Sequence, residues 1–172
     1  MNSPDGAPPD YPWPAHLRDL EGRLASLDRV ALANGLGPAI TVLRGPLPGG
    51  REVVEAALSL CRTLYGNARS GEGVALGRAA LDQSAVLGDA ALERRSATAC
   101  GLLLTDAGDI VGALDFHARA LALATATGDA VELSRIWNNF GFTFGVAGSH
   151  TLAASCYQRA IAKVEAIAEP VF

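Results

Sequence analysis

A 40-residue repeat is the strongest constraint that this sequence places on its fold. A ruler of that length laid backward from Gly141, Ala160 and Ile161 meets Gly101, Ala120 and Leu121, then Cys61, Ala80 and Leu81. Each copy holds two apolar stretches spaced by three and four residues, the period of a helix with one face against a core. One such helix pair cannot bury its apolar face alone, so the copies must stack. The expected fold is all-α: a right-handed helical solenoid of three helix-turn-helix repeats over about 51–88, 89–128 and 129–168.

The punctuation between copies supports these boundaries independently of the apolar pattern. Gly88 and Gly128 can take the left-handed conformation that ends a helix, and Asp89 and Asp129 can cap the next. Glu132 stands three residues after Asp129, a capping-box spacing, and Glu93 adds negative charge to a first turn. The turn over Gly66 to Gly73 in the first copy is the least regular.

Ahead of the repeats the pattern changes. Residues 1–14 carry Pro4, Pro8, Pro9, Pro12 and Pro14 among Asp and Gly, which reads as a disordered tail. From Ala15, Leu17, Leu20, Leu24, Leu27 and Ala31 outline an amphipathic helix, better suited to capping the first repeat than to a coiled coil of under three heptads. Asn34 to Gly50 holds five glycines and three prolines, enough to break a helix. Residues 15–50 are thus expected to be a helix followed by a Gly/Pro linker whose Ile40, Val42 and Leu43 pack on the repeats.

Composition excludes several function classes. A hydrophobic fraction of 49% with 19% charged residues demands a packed core. The net charge of -4 offers no footprint for phosphate backbones, so nucleic acid is not an expected partner. No apolar run is long enough to span a bilayer and no secretion signal is recognisable, which gives a cytoplasmic expectation and no membrane association. Cys61, Cys100 and Cys156 are far apart and read as small core residues. His16, His117 and His150 are dispersed without metal spacing, and Gly71, Gly73 and Gly77 follow no strand and miss the dinucleotide fingerprint. Neither cofactor nor catalysis is expected.

In the third copy, Trp137, Phe140, Gly141 and Phe144 are followed by Ala153, Tyr157 and Ala160; in the second, Gly101, Leu104, Gly108, Ala113, His117 and Ala120 keep the order. This pattern resembles the tetratricopeptide repeat, stretched from its usual period of about 34 residues. Such long forms resemble those of bacterial signalling proteins, where they commonly precede an output domain such as a diguanylate cyclase. The chain has no GGDEF sequence, so that activity is not carried over. The resemblance implies a noncatalytic module that binds a protein or peptide, or the front portion of such a cyclase.

It also implies a concave groove lined by the leading helices: Glu55, Leu58, Arg62 and Tyr65, then Arg95, Thr98, Leu102 and Thr105, then Arg135, Asn138 and Phe142. Arg62, Arg95 and Arg135 would form a basic stripe for a carboxylate-bearing peptide, Asn138 would bond its backbone, and Tyr65 and Phe142 would take its apolar side chains. The competing reading has these arginines paired with Glu55, Glu93 and Glu132 on a solvated face. Finally, Leu152, Ala153, Cys156, Tyr157, Ala160, Ile161, Val164 and Ile167 spread over a wide arc of the last helix with no polar cap after it. That edge is expected to meet a second chain as a homodimer, a next repeat or a downstream domain.

Overall fold

The computed structural model describes residues 12–25, 29–45 and 50–168, side chains 24–33 and 167–168 excepted; every regular element among them is a helix. In chain order these are α1 (Trp13–Ala25), α2 (Arg29–Leu43), α3 (Gly50–Gly66), α4 (Ser70–Val86), α5 (Ala90–Asp106), α6 (Ile110–Thr127), α7 (Ala130–Val146) and α8 (His150–Ala168). Each packs on the next along the repeats, and the leading helices also touch one another, α1 on α3, α3 on α5 and α5 on α7. From α3 onward the helices form three pairs, α3–α4, α5–α6 and α7–α8.

The turns between helices behave as their residues require. Gly88, Gly108, Gly128 and Gly148 all have positive φ, between 66° and 87°. The carboxylates of Asp89, Asp109 and Asp129 accept from the amides of Leu92, Gly112 and Glu132 at 3.0, 3.0 and 3.1 Å. The irregular α3–α4 turn departs from this scheme: Ala68 takes the left-handed position at φ 54°, and Arg69 gives no side-chain cap. The capping box is only half made, because Arg94 and Arg135 hold the Glu132 carboxylate instead.

Two expectations for the N-terminal region need correction. The stretch taken for a Gly/Pro linker is helical through Gly35, Gly37 and Pro38 as far as Leu43; residues 46–49 lie outside the described residues. Burial decides this. Leu36, Ala39 and Leu43 reach the core at 7%, 1% and 0% exposure, and each leucine contributes about 2–3 kcal/mol. With Ile40 and Val42 partly buried beside them, that offsets about 3 kcal/mol for an internal proline and about 1 for each glycine. Gly35 also leaves the space that Leu20 fills, since a Cβ there would stand 2.3 Å from Leu20 Cδ2.

The proline-rich tail expected over 1–14 falls on undescribed residues as far as Tyr11, but its end does not: Trp13 begins α1 and is buried in the core. With α1 on α3 and α2 on α4, the two helices form a further pair in front of the first repeat. Leu20, Leu60, Cys100 and Phe140, at 40-residue intervals, are all buried. Glu21 ties the pair down by accepting from Thr63 Oγ1 at 2.7 Å and Ser59 Oγ at 3.1 Å.

Within each pair the helices cross where one of two facing residues lacks a side chain. The His117 ring of α6 lies over Gly101 of α5, where a Cβ would be 2.3 Å from Cε1. Tyr157 of α8 lies over Gly141 of α7 in the same way, at 2.5 Å. His117 is wholly buried and meets the next leading helix through Thr143 Oγ1 at 3.1 Å and the Phe140 ring at 5.4 Å. Thr143 Oγ1 also stands 2.7 Å from Thr105 Oγ1 and 3.0 Å from Asn139 O, and its one proton serves one of these two acceptors. With the one Thr143 proton going to Thr105 or Asn139, the His117 Nε2–H donates to Thr143, and the buried Nδ1, which has no partner, is the bare acceptor. Burial accordingly lowers the His117 pKa to about 4.

Two predictions follow from this seam. Gly101→Ala should destabilise the fold by about 1–3 kcal/mol through overpacking, whereas in a His117→Ala background the same change should be neutral or stabilising, by up to about 1 kcal/mol. Urea denaturation of the four proteins in the double-mutant cycle measures this. Because folding lowers the pKa of His117 from 6.5 to about 4, protonation favours the unfolded chain. Its neutral form is fully compatible with folding above pH 6.5, and stability falls as pH drops from there toward 4, by about 3 kcal/mol at the end. Denaturation midpoints between pH 7 and 4 should show this loss in the wild type and much less of it in His117→Phe.

Candidate functional site

One cavity of about 880 Å³ lies along the leading helices. α3 supplies Leu58, Cys61, Arg62 and Tyr65; α5 supplies Arg95, Thr98, Ala99, Leu102 and Leu103; α7 supplies Glu132, Ser134, Arg135, Ile136, Asn138 and Asn139. Leading helices present this row because their other faces are buried, α3 against α1 and α4, α5 against α4 and α6, and α7 against α6 and α8. Eight of the eleven groove residues expected from the sequence therefore line one space: Leu58, Arg62, Tyr65, Arg95, Thr98, Leu102, Arg135 and Asn138.

Phe142 does not line it. It stands one turn beyond Asn138 and is partly buried. The fourth wall of the cavity is α8, which contributes Tyr157, Ala160, Ile161, Val164 and Glu165 opposite the first half of α7. The Ser134 hydroxyl donates to Ala160 O at 2.8 Å and fixes the register of the two helices there. Thr105 also leaves the groove, since it is buried against Thr143 and also donates to Gly101 O at 2.9 Å. Glu55 stands outside the lining as an ion-pair partner.

The α8 wall was the part that sequence reasoning missed. Its apolar arc was visible, but it was assigned to an outward contact and not to the groove. In the structure Ala153, Cys156 and Ala160 are buried while Tyr157, Ile161 and Val164 are 38%, 56% and 52% exposed. Of the other two members of that arc, Leu152 is exposed and Ile167 has no described side chain.

The arginines combine the two readings of this face. Glu55 is shared by Arg51 at 3.3 Å and Arg95 at 3.7 Å, and Glu132 by Arg94 and Arg135, the latter at 2.9 Å. Arg119 takes Glu93 at 2.8 Å, outside the groove. Arg62 forms no ion pair with any described residue. Exposed pairs of this kind contribute about 0–1 kcal/mol, so a ligand carboxylate can compete for them.

Among nucleophile-bearing side chains at the cavity, Cys61 is held as a thiol because burial pushes its pKa far above the ordinary range, while Ser134 spends its proton on Ala160 O. Cys100 and Cys156 are buried free thiols whose pKa values burial also raises. Among the described residues no His, Cys, Asp and Glu cluster could hold a metal ion, and no helix is long and apolar enough to cross a membrane.

The architecture is that of a tetratricopeptide-like helical repeat. The chain is similar to the TPR domain of Arabidopsis FLU, with a TM-score of 0.61 and 19% identity over 68% of this chain and 98% of that one. It is also similar to BtubC (BKLC) from P. vanneervenii, with a TM-score of 0.66 and 19% identity over 96% of this chain and 68% of that one. No protein-family model and no curated protein sequence matches the chain.

Proposed function

We propose that this protein is a noncatalytic module that binds a protein or peptide in the groove of α3, α5, α7 and α8. One observation carries the reading: a single cavity gathers apolar walls from Leu58, Tyr65, Leu102, Tyr157 and Ile161 with a rim of Arg62, Arg95 and Arg135. Apolar lining with a few placed charges suits a chain whose aliphatic side chains are buried and whose carboxylates are read by guanidinium groups. The TPR-like fold supports an interaction role in the same direction. The committed state of Cys61 and Ser134 supports binding over covalent chemistry.

The 40-residue period and the Gly-Asp boundaries, which resemble bacterial signalling proteins, extend the proposal to signal transduction in a bacterial cytoplasm. On that resemblance, the module would act alone or ahead of an output domain such as a diguanylate cyclase. Arg62 and Arg135 are the residues on which the groove reading is tested. Fluorescence anisotropy with short labelled peptides of mixed acidic and aliphatic composition should give binding that weakens with salt. Arg62→Glu with Arg135→Glu should lower the affinity at least about tenfold, since a hydrogen bond to a charged group contributes about 1.5–3 kcal/mol. Equal binding by the double variant, or by peptides of reversed charge, would sink the proposal.

A further inference from the structure

We infer that the groove's α8 wall is the seat for an acidic amphipathic helix of a partner protein; this deepens the groove reading above and rests on it. The repeat register identifies the seat. Tyr157, Ile161 and Val164 stand 40 residues after His117, Leu121 and Ala124, and 80 after Gly77, Leu81 and Ser84. In both earlier copies the next leading helix covers this stripe: α5 packs on α4 and α7 on α6. Leu81 is buried in a cluster with Ala97 and Cys100, and Ser84 Oγ meets Ser96 Oγ at 3.0 Å. His117 meets Phe140 and Thr143, and Ala124 is fully buried. On α8 the same positions are 38% to 56% exposed.

The two internal seats also state what fits. The covering side chains are Ser96, Cys100 and Leu103 on α5, and Ile136, Phe140 and Thr143 on α7, a stripe at i, i+4 and i+7. The occupant is thus a helix with apolar or small residues at those positions, and a polar group at the last can meet the Tyr157 hydroxyl as Thr143 meets His117. Charge selects its flanks. Arg62, Arg95 and Arg135 outnumber the lining carboxylates Glu132, which Arg94 and Arg135 already hold, and Glu165, and Lys163 nearby on α8 has no ion pair among the described residues, so acidic flanks match.

A second copy of the chain fits less well. Its α1 end presents Arg18, Asp19 and Gly22 to solvent and, among the described residues, offers no apolar stripe for head-to-tail stacking. An antiparallel α8–α8 pairing centred on Ile161 would set Lys163 against Arg159 of the other copy, cation against cation.

The test is selection of binders to the intact protein from a surface-displayed library of single amphipathic helices, randomised at one i, i+4, i+7 stripe and on its flanks. Enriched helices should carry apolar stripes with Asp or Glu beside them. They should lose at least tenfold in affinity against Ile161→Glu and against Val164→Glu, and keep it against Leu152→Glu, whose counterpart Glu72 is exposed in the first repeat. An empty selection, or binders indifferent to both α8 variants, overturns the inference. If short extended acidic peptides bind in an Arg62- and Arg135-dependent manner while no helix does, the groove reading stands and the helix seat fails. A wild-type dimer in sedimentation that Ile161→Glu converts to monomer names a second copy as the occupant and overturns the partner helix.

Discussion

The fold depends on close approach of the two helices in each repeat, and that approach exists only where one side chain is missing. Gly101 gives way to His117 and Gly141 to Tyr157, across distances that no Cβ could share. In α3 and α4 the roles are reversed: Cys61 keeps a side chain on the leading helix and Gly77 gives one up on the trailing helix. A Cβ on Gly77 would stand 3.2 Å from Cys100 Sγ and 3.8 Å from Cys61 Sγ. The Cys61 distance is an ordinary contact, so this vacancy serves chiefly the following helix, α5, to which Cys100 belongs. Packing at native density leaves little slack, so this choice at one position sets the spacing of the neighbouring helices.

What fills the vacancy determines what the trailing helix offers next. A glycine at position 77 leaves α5 free to close on α4. The imidazole at 117 reaches through to Thr143 and Phe140 and ties α6 to α7 with a polar contact in an otherwise apolar seam. At 157 the tyrosine reaches the same direction and meets no further described helix, so its ring becomes groove wall. One repeat position is therefore spacer, core tie and groove-facing surface in successive copies.

This explains how much the sequence disclosed. The period, the Gly-Asp turns and eight residues of the cavity lining were legible because each rests on local rules repeated at fixed intervals. Helix α2 was not, since Gly35, Gly37 and Pro38 argue locally against a helix and only burial of Leu36, Ala39 and Leu43 reverses the balance. Thr105 shares the helical phase of the groove residues, yet its hydroxyl is drawn to Thr143 across 38 residues of sequence. The α8 wall escaped for a related reason. Helical phase shows that an arc is apolar, while which neighbour faces it is a tertiary fact. Trp137, conspicuous in sequence, proves to belong to packing: it lies beside Phe140 at 5.5 Å and under Arg159 at 4.7 Å.

The charge arrangement at the groove has a consequence for how a ligand could be held. Each carboxylate bound by a groove arginine has a second arginine at hand: Arg51 for Glu55 when Arg95 turns away, and Arg94 for Glu132 when Arg135 does. Arg94 is 13% exposed and Arg135 69%, so the inner arginine keeps Glu132 neutralised while the outer one is free to exchange. The usual cost of engaging a paired guanidinium, a carboxylate left without its cation, is therefore small here. Glu132 meanwhile holds Arg135 near its working position before any ligand arrives, which reduces the side-chain entropy lost on binding. A chain of net charge -4 thereby maintains a locally cationic rim in which the glutamates orient the arginines without neutralising the groove.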